Sequence, residues 1–336
     1  MYDLQDLRKA ISDPRLVYRK LCNPLVRLNT LYHRRFLDQS GVQVMEREWD
    51  NLLILDGCRL DTFDEVNSIE GRLETVISGG SSSVEFLRHN IVGRNFPDTV
   101  YVSANPFVTS LDLEDNFHAT RSVWETDWSE EHKTILPEDV AAETRKVHEV
   151  YPNKRLVVHF MQPHVPFIGT QGRRIEQRGI LTDDNETNRV WDLLRQGSID
   201  TATAREAYRE NLEVVLPYVA ELLDDLGGRS VVTADHGNAF GRLGVYGHPH
   251  ETYLRELVEV PWFVAERGDR RRISTGGAGG EASTDSDPEQ IAQRLSHLGY
   301  LDNWTPTGIA SRGTPRTQGS RYCWTEVRKC RMRMNH

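Results

Sequence analysis

Six short apolar runs alternate with helical patterns along the middle of this chain, and that alternation restricts its fold more than any other feature. The runs are Asn51–Asp56, Leu73–Ser78, Thr99–Ala104, Arg155–Met161, Arg229–Ala234 and Val258–Val264. Each has the length of a buried strand, and the first ends in an acid. Residues 84–92, 138–150, 204–226 and 288–298 between and after them carry helical spacing, clearest in Leu212, Val215, Leu216, Val219, Leu222 and Leu223. Strands interleaved with helices predict an α/β sheet with helices on both faces. Ligands of such sheets sit at the carboxyl ends of the strands.

The ends of the chain differ from this middle. Residues 1–44 read as a basic helical N-terminal arm, with Leu4, Leu7, Ile11, Leu16 and Val17 between basic residues and with Pro14 and Pro24 expected to break the run. Such an arm suits packing on its own domain or contact with an anionic membrane surface. Residues 303–336 lose periodicity, turn rich in Thr, Arg and Gly, and read as a basic, disordered tail. The domain proper is therefore 45–302, with a Gly/Ser/Thr/Asp-rich loop at 266–288.

Charge follows the same division. The 336 residues carry a formal net charge of −9, yet 1–41 hold +4 and 303–336 hold +6, which leaves −19 for 42–302. So acidic a body argues against nucleic acid as a partner and fits cation binding or a high-salt cytoplasm. No run approaches ~18 uninterrupted apolar residues, so no transmembrane helix is expected. Met1-Tyr2-Asp3-Leu4 does not resemble a secretory signal. Cys22, Cys58, Cys323 and Cys330 form no CxxC pair. They read as reduced thiols of a cytoplasmic protein, peripheral to the membrane if the arm docks there.

Several residues could carry chemistry. Asp56 closes the first run, and Asp235-His236-Gly237 follows Ser230–Ala234. Carboxylates at strand ends are held by the sheet, and two of them with an imidazole make a hard-to-borderline divalent metal site. A single such Asp also suits a helix cap, but the glycine after Asp-His favours close backbone approach. The loop Ser78-Gly79-Gly80-Ser81-Ser82-Ser83 leads into a helix. A hydroxyl there is either a plain N-cap or a nucleophile beside the positive helix end. His164 stands in Gln162-Pro163-His164-Val165-Pro166, stiffly held for substrate binding or proton transfer. His159 lies inside its strand and reads as a satisfied core residue. His248 and His250, in Tyr246-Gly247-His248-Pro249-His250, are a weaker signal.

Together these segments resemble the alkaline phosphatase/sulfatase superfamily over residues 45–302. The features are Val231-Val232-Thr233-Ala234-Asp235-His236-Gly237, the strand ending at Asp56, the serine loop 27 residues later, and Pro163-His164-Val165-Pro166-Phe167. Leu298-Gly299-Tyr300 is similar to the Leu-Gly-Tyr ending of sulfatase-like chains, and Trp49–Arg59 is similar to the archaeal sulfatase-like group. The resemblance implies a central mixed, mostly parallel sheet sandwiched by helices. It implies a divalent ion (Mn, Zn, Mg or Ca) on Asp56, Ser83, Asp235 and His236, in the single-metal arrangement of the phosphoglycerol-transferase branch. Ser83 takes the nucleophile's place, with Ser82 as the alternative within the triplet. His164 matches a position that contacts substrate, and His248 matches one that contacts substrate or a second metal.

The implied activity is metal-dependent hydrolysis or transfer of phosphate or sulfate esters, with an anionic ester as substrate. Ser83-Val84-Glu85-Phe86-Leu87 lacks the C/S-x-P-x-R pattern that precedes formylglycine, which favours a plain serine and phosphoryl chemistry. The rival reading is a catalytically silent relative that binds an anionic glycan or lipid headgroup.

Overall fold

Asn51–Leu55 (β1) is buried at all five positions, so both faces of its pleat are covered. In this computed structural model, which describes residues 14–33, 35, 41–175, 190–276 and 287–300, β1 is the middle strand of a seven-stranded sheet. The others are β2 (Arg72–Ile77), β3 (Phe96–Ser103), β4 (Phe117–Ser122), β5 (Arg155–Phe160), β6 (Gly228–Thr233) and β7 (Glu259–Arg267). Their order is β2-β7-β6-β1-β5-β3-β4. β1 runs parallel to both β5 and β6, and β3 runs parallel to β5 and β4. Only β7 opposes its neighbours, β6 and β2. The sheet is mixed and mostly parallel, as expected.

Six of the seven strands coincide with the apolar runs. The seventh, β4, was not expected. It lies at the sheet's edge, where His118 and Arg121 reach towards solvent and interrupt the apolar signal.

The helices named here are α1 (Pro14–Tyr32), α2 (Leu60–Val66), α3 (Ser83–Asn90), α4 (Pro137–Val150), α5 (Thr201–Leu226) and α6 (Pro288–His297). Asp200 caps α5 by accepting from Thr203 N–H at 2.7 Å, and Asp287 caps α6 by accepting from Glu289 N–H at 3.0 Å. The α5 stripe from Leu212 to Leu223 is buried as its spacing predicts. α4 packs on β3 and β5, α2 packs on β7, and α5 lies against both helices.

One expectation about the arm fails. Pro24 does not break the helix; α1 runs through it from Pro14 to Tyr32. A proline removes one N–H bond and crowds the preceding turn, but packing can outweigh that local cost. α1 has such packing: Cys22 is buried, Val26 joins an apolar cluster with Val245, Leu254 and Leu257, and Thr30 Oγ1 donates to Glu251 O at 2.7 Å. Residues 1–13 of the arm and the whole tail 303–336 lie outside the described residues, as do Cys323 and Cys330. Among the described residues no helix is long and apolar enough to cross a membrane.

Candidate metal centre

The register of three parallel strands sets up the site. Ile54 of β1 pairs with Thr233 of β6 on one side and with His159 of β5 on the other. Asp56 and Asp235 stand two residues past Ile54 and Thr233, so side-chain alternation brings both to one face, where His159 already points. All three are fully buried. Their ligand atoms lie within 4.8 Å of one another.

Each carboxylate has one oxygen tied and one bare. Asp56 Oδ2 accepts from Tyr300 O–H at 2.7 Å and Asn105 Nδ2–H at 2.8 Å. Asp235 Oδ1 accepts from Gly57 N–H at 2.9 Å and His236 N–H at 2.8 Å. Asp56 Oδ1 and Asp235 Oδ2 have no hydrogen-bond partner, and neither does His159 Nε2. Buried polar atoms are almost always satisfied, so three orphans converging on one space call for a cation.

His236 completes that space. Its Nδ1–H donates to Gly237 O at 2.8 Å, which leaves Nε2 with the lone pair in the neutral ring. That Nε2 lies 3.5 Å from Asp56 Oδ1 and 3.6 Å from Asp235 Oδ2, the two bare oxygens. Two glycines allow the approach. Gly57 has φ +65°, and a Cβ on Gly237 would fall 2.2 Å from Glu256 O.

Electrostatics agree with a missing positive charge. Burial first, and then the charge of Asp235, hold the Asp56 carboxyl well above the ordinary range, despite its hydrogen bonds. Burial also opposes ionisation of Asp235, but His236 and His159 outweigh it and hold this carboxyl low. Burial takes the His159 imidazole down to about 4, so the ring is neutral at pH 7. The expectation of a satisfied core residue holds at one nitrogen of His159 only. Its Nδ1 contacts Tyr101 O–H at 2.9 Å while Nε2 faces the carboxylates, 3.8 Å from Oδ2 of each.

The serine triplet divides clearly. Ser83, the first residue of α3, places Oγ 3.4 Å from Asp56 Oδ2, from His236 Nε2 and from Tyr300 Oη. Ser82 turns away, with Oγ 2.9 Å from His250 Nδ1. Ser81 Oγ sits 2.8 Å from Glu85 Oε2 and 3.0 Å from Pro249 O. Glu85 Oε1 in turn accepts from Glu251 N–H at 2.9 Å, which ties the serine loop to the loop carrying His248 and His250.

His164 and His248 form a second layer. Their Nε2 atoms are 2.8 Å apart. His164 Nδ1–H donates to Val165 O at 2.8 Å, so between the two rings His164 Nε2 accepts and His248 Nε2–H donates. The His248 ring stacks on His236 at 4.3 Å, and Tyr300 stacks on His164 at 4.7 Å. Asp56, Ser83, Asp235, His236, His164 and His248 are thus gathered in one place. The sequence reading missed His159, Asn105 and the role of Tyr300.

The donor set fits a divalent ion. Two carboxylates, one or two neutral imidazoles and a hydroxyl suit a borderline metal such as Zn or Mn.

No family model and no curated protein sequence matches the chain. In structure it is similar to the soluble domain of lipooligosaccharide phosphoethanolamine transferase A from Neisseria meningitidis, at 14% identity and a TM-score of 0.41, over 67% of this chain and 80% of that one. It is similar to the C-terminal periplasmic domain of EptC from Escherichia coli in complex with Zn, at 14% identity and a TM-score of 0.43, over 67% and 75%. A third is the lipoteichoic acid synthase LtaP from Listeria monocytogenes, at 12% identity and a TM-score of 0.40, over 69% and 70%. None of the three is archaeal.

The expectation of a cytoplasmic protein is corrected here. The similar Escherichia coli structure is a periplasmic domain. The thiol argument has also lost its force, because Cys22 and Cys58 are free but buried, a state compatible with any compartment.

Proposed function

We propose that residues 45–302 form a metal-dependent transferase or hydrolase of phosphate esters, with Ser83 as its nucleophile. The observation that carries this reading is the convergence of Ser83 Oγ on Asp56 and His236, 3.4 Å from each, beside two bare carboxylate oxygens. Asp56, Asp235 and His236 hold the ion, with His159 beside them. When bound, the ion supplies Lewis acidity and balances the charge of the transferred group.

The chain's own residues do the rest. Ser83 Oγ gives up its proton to solvent and forms the new bond to phosphorus as the bond to the ester's alcohol breaks. As the first residue of α3, Ser83 holds the developing negative charge at the positive end of that helix. The His164–His248 pair, when it carries one extra proton, holds a non-bridging oxygen and delivers that proton to the departing alcohol. Water or an acceptor alcohol then takes the phosphoryl group from Ser83 and restores the serine. Sulfate esters are the second substrate class; the absence of C/S-x-P-x-R around Ser83 favours phosphate.

The test is a panel of p-nitrophenyl phosphate, bis(p-nitrophenyl) phosphate and p-nitrophenyl sulfate, with EDTA-stripped protein and protein reloaded with Mn or Zn. Metal-dependent release of p-nitrophenol that is lost in Ser83→Ala supports the reading. Bound metal without turnover of any ester, but with retention of an anionic glycan or lipid headgroup, assigns the silent role instead.

A further inference from the structure

α1 has two unlike faces. Cys22, Val26 and Thr30, spaced one turn apart, turn towards the body, and His33 continues the row by stacking on Tyr253 at 4.8 Å. Tyr18, Leu21, Leu25 and Leu28, at spacings of three and four, turn away from it, with Leu31 beside them. These are 48%, 71%, 55%, 64% and 63% exposed. Outside α1, only Ile77, Val92 and Val150 are exposed large hydrophobics among the described residues. Isolated leucines on a surface need no explanation; a row of them along three turns of one helix does.

We propose that this face of α1 docks the protein onto an anionic lipid surface. Charge selects that occupant. Pro14–Tyr32 contains Arg15, Arg19, Lys20 and Arg27 and no acid. Two copies of α1 packed together would set two helices of net +4 side by side with no acid in either. An anionic bilayer supplies the counter-charge and an apolar layer of the depth that leucines and tyrosines enter. The arm also supplies the attraction that the acidic body lacks, since 1–41 carry +4 against −19 for 42–302.

The docked helix is coupled to the site. Thr30 Oγ1 holds Glu251 O, and Glu251 N–H donates to Glu85 in the first turn of α3, just after the serine loop. The loop carrying His248 and His250 is therefore held by α1 from one side and by the serine loop from the other. Docking is independent of the phosphoryl-transfer reading and is tested without it.

The experiment is co-sedimentation of the full chain with phosphatidylcholine vesicles containing about one third phosphatidylglycerol, compared with phosphatidylcholine alone. The wild type should partition at least ~10-fold more strongly onto the anionic vesicles, with the difference collapsing in ~0.5 M NaCl. Leu21→Ser/Leu25→Ser/Leu28→Ser should lose ~10-fold or more of that binding, with an unchanged melting temperature and unchanged metal content. Arg27→Glu, which leaves the apolar row intact, should weaken binding in low salt only. Equal binding by the triple variant overturns the proposal, as does a wild type that ignores anionic vesicles. A wild-type dimer that the triple variant converts to monomer, by light scattering, also overturns it and gives the face to a second copy.

Discussion

Tyr300 donates its phenolic hydrogen to Asp56 Oδ2 at 2.7 Å across 244 residues of chain. The bond decides which oxygen of Asp56 is left for a cation, because Tyr300 and Asn105 together occupy Oδ2 and leave Oδ1 bare. Burial and the nearby Asp56 push the Tyr300 phenol well above its ordinary value, so it remains a donor. Tyr300→Phe removes the bond to Asp56 and the longer contact with Ser83 Oγ, and keeps the ring stacked on His164. Partners that orient ligands in this way are worth roughly 10–100-fold in metal affinity. Tyr300→Phe should therefore bind Zn or Mn at least ~10-fold more weakly by competition with a chelator, while far-UV circular dichroism stays unchanged. Undiminished affinity would show that Asn105 alone suffices.

Ser83 and Ser82 differ by one position and by where their hydroxyls point. Ser83→Ala should lower ester turnover by about 10³-fold or more, with metal content retained. Ser82→Ala loses the contacts to His250 and Glu85, neither of them among the ion's proposed ligands, and should stay within about 10-fold of the wild type. Steady-state rates with p-nitrophenyl phosphate decide it. If Ser82→Ala is the dead variant, the helix start has been misassigned by one residue.

Asp56 sets a pH dependence. Its carboxyl holds a proton more tightly in the metal-free protein than an ordinary carboxyl does, through burial and then Asp235. A cation entering the site must displace that proton. Metal affinity should then rise as pH climbs from the ordinary carboxylate range through Asp56's elevated one, and level off above it. Calorimetry in two buffers of different ionisation enthalpy reads the proton release directly. Affinity that is flat with pH, with no proton released, would contradict the raised carboxyl.

The same carboxyl makes a stability prediction. An ionised Asp56 beside Asp235 costs the metal-free fold free energy, and an asparagine keeps an oxygen acceptor without the charge. In EDTA, Asp56→Asn should melt at or above the wild-type temperature. With excess Mn or Zn only the wild type should gain, because only it binds. Differential scanning fluorimetry with and without metal gives both numbers, and a wild type unmoved by metal would sink the centre.

Much of this site was legible because its chemistry sits at strand ends. Asp56 and Asp235-His236-Gly237 each follow an apolar run, and a parallel sheet brings such ends together whatever the loops do. The helices expected at 138–150 and 204–226 from their spacing are observed at 137–150 and 201–226, where Pro137 and the Asp200 cap set their starts. Tyr300 was visible as part of a pattern but not as a contact, because a bond spanning 244 residues leaves no local trace. Pro24 misled because proline carries a strong local penalty, and only tertiary packing shows when a helix outweighs it. Ser83 stands ahead of Ser82 in the sequence only through the resemblance, and the start of α3 is what fixes the direction of each hydroxyl.

His159 was missed for a different reason, and it carries the last prediction. Inside Leu156–Phe160 a lone histidine reads as a core residue satisfied by a neighbour, and Tyr101 does satisfy its Nδ1 at 2.9 Å. The signal lay in register: pairing with Ile54 puts the ring on the face of Asp56. A ring held neutral, with a value near 4, keeps a lone pair for a metal. If Nε2 binds the ion, Nδ1 carries the hydrogen and donates to the Tyr101 oxygen. His159→Leu separates the two roles. As a core residue, its replacement by an apolar side chain of similar size should leave metal binding intact. As a ligand, its loss should weaken Mn or Zn binding by ~10-fold or more, while the metal-free protein changes little in stability, because the unsatisfied Nε2 goes but the Tyr101 hydroxyl loses its partner. Tyr101→Phe should reproduce a smaller part of the same loss in affinity. Metal binding by His159→Leu equal to that of the wild type would return His159 to the core and leave His236 as the only imidazole on the ion.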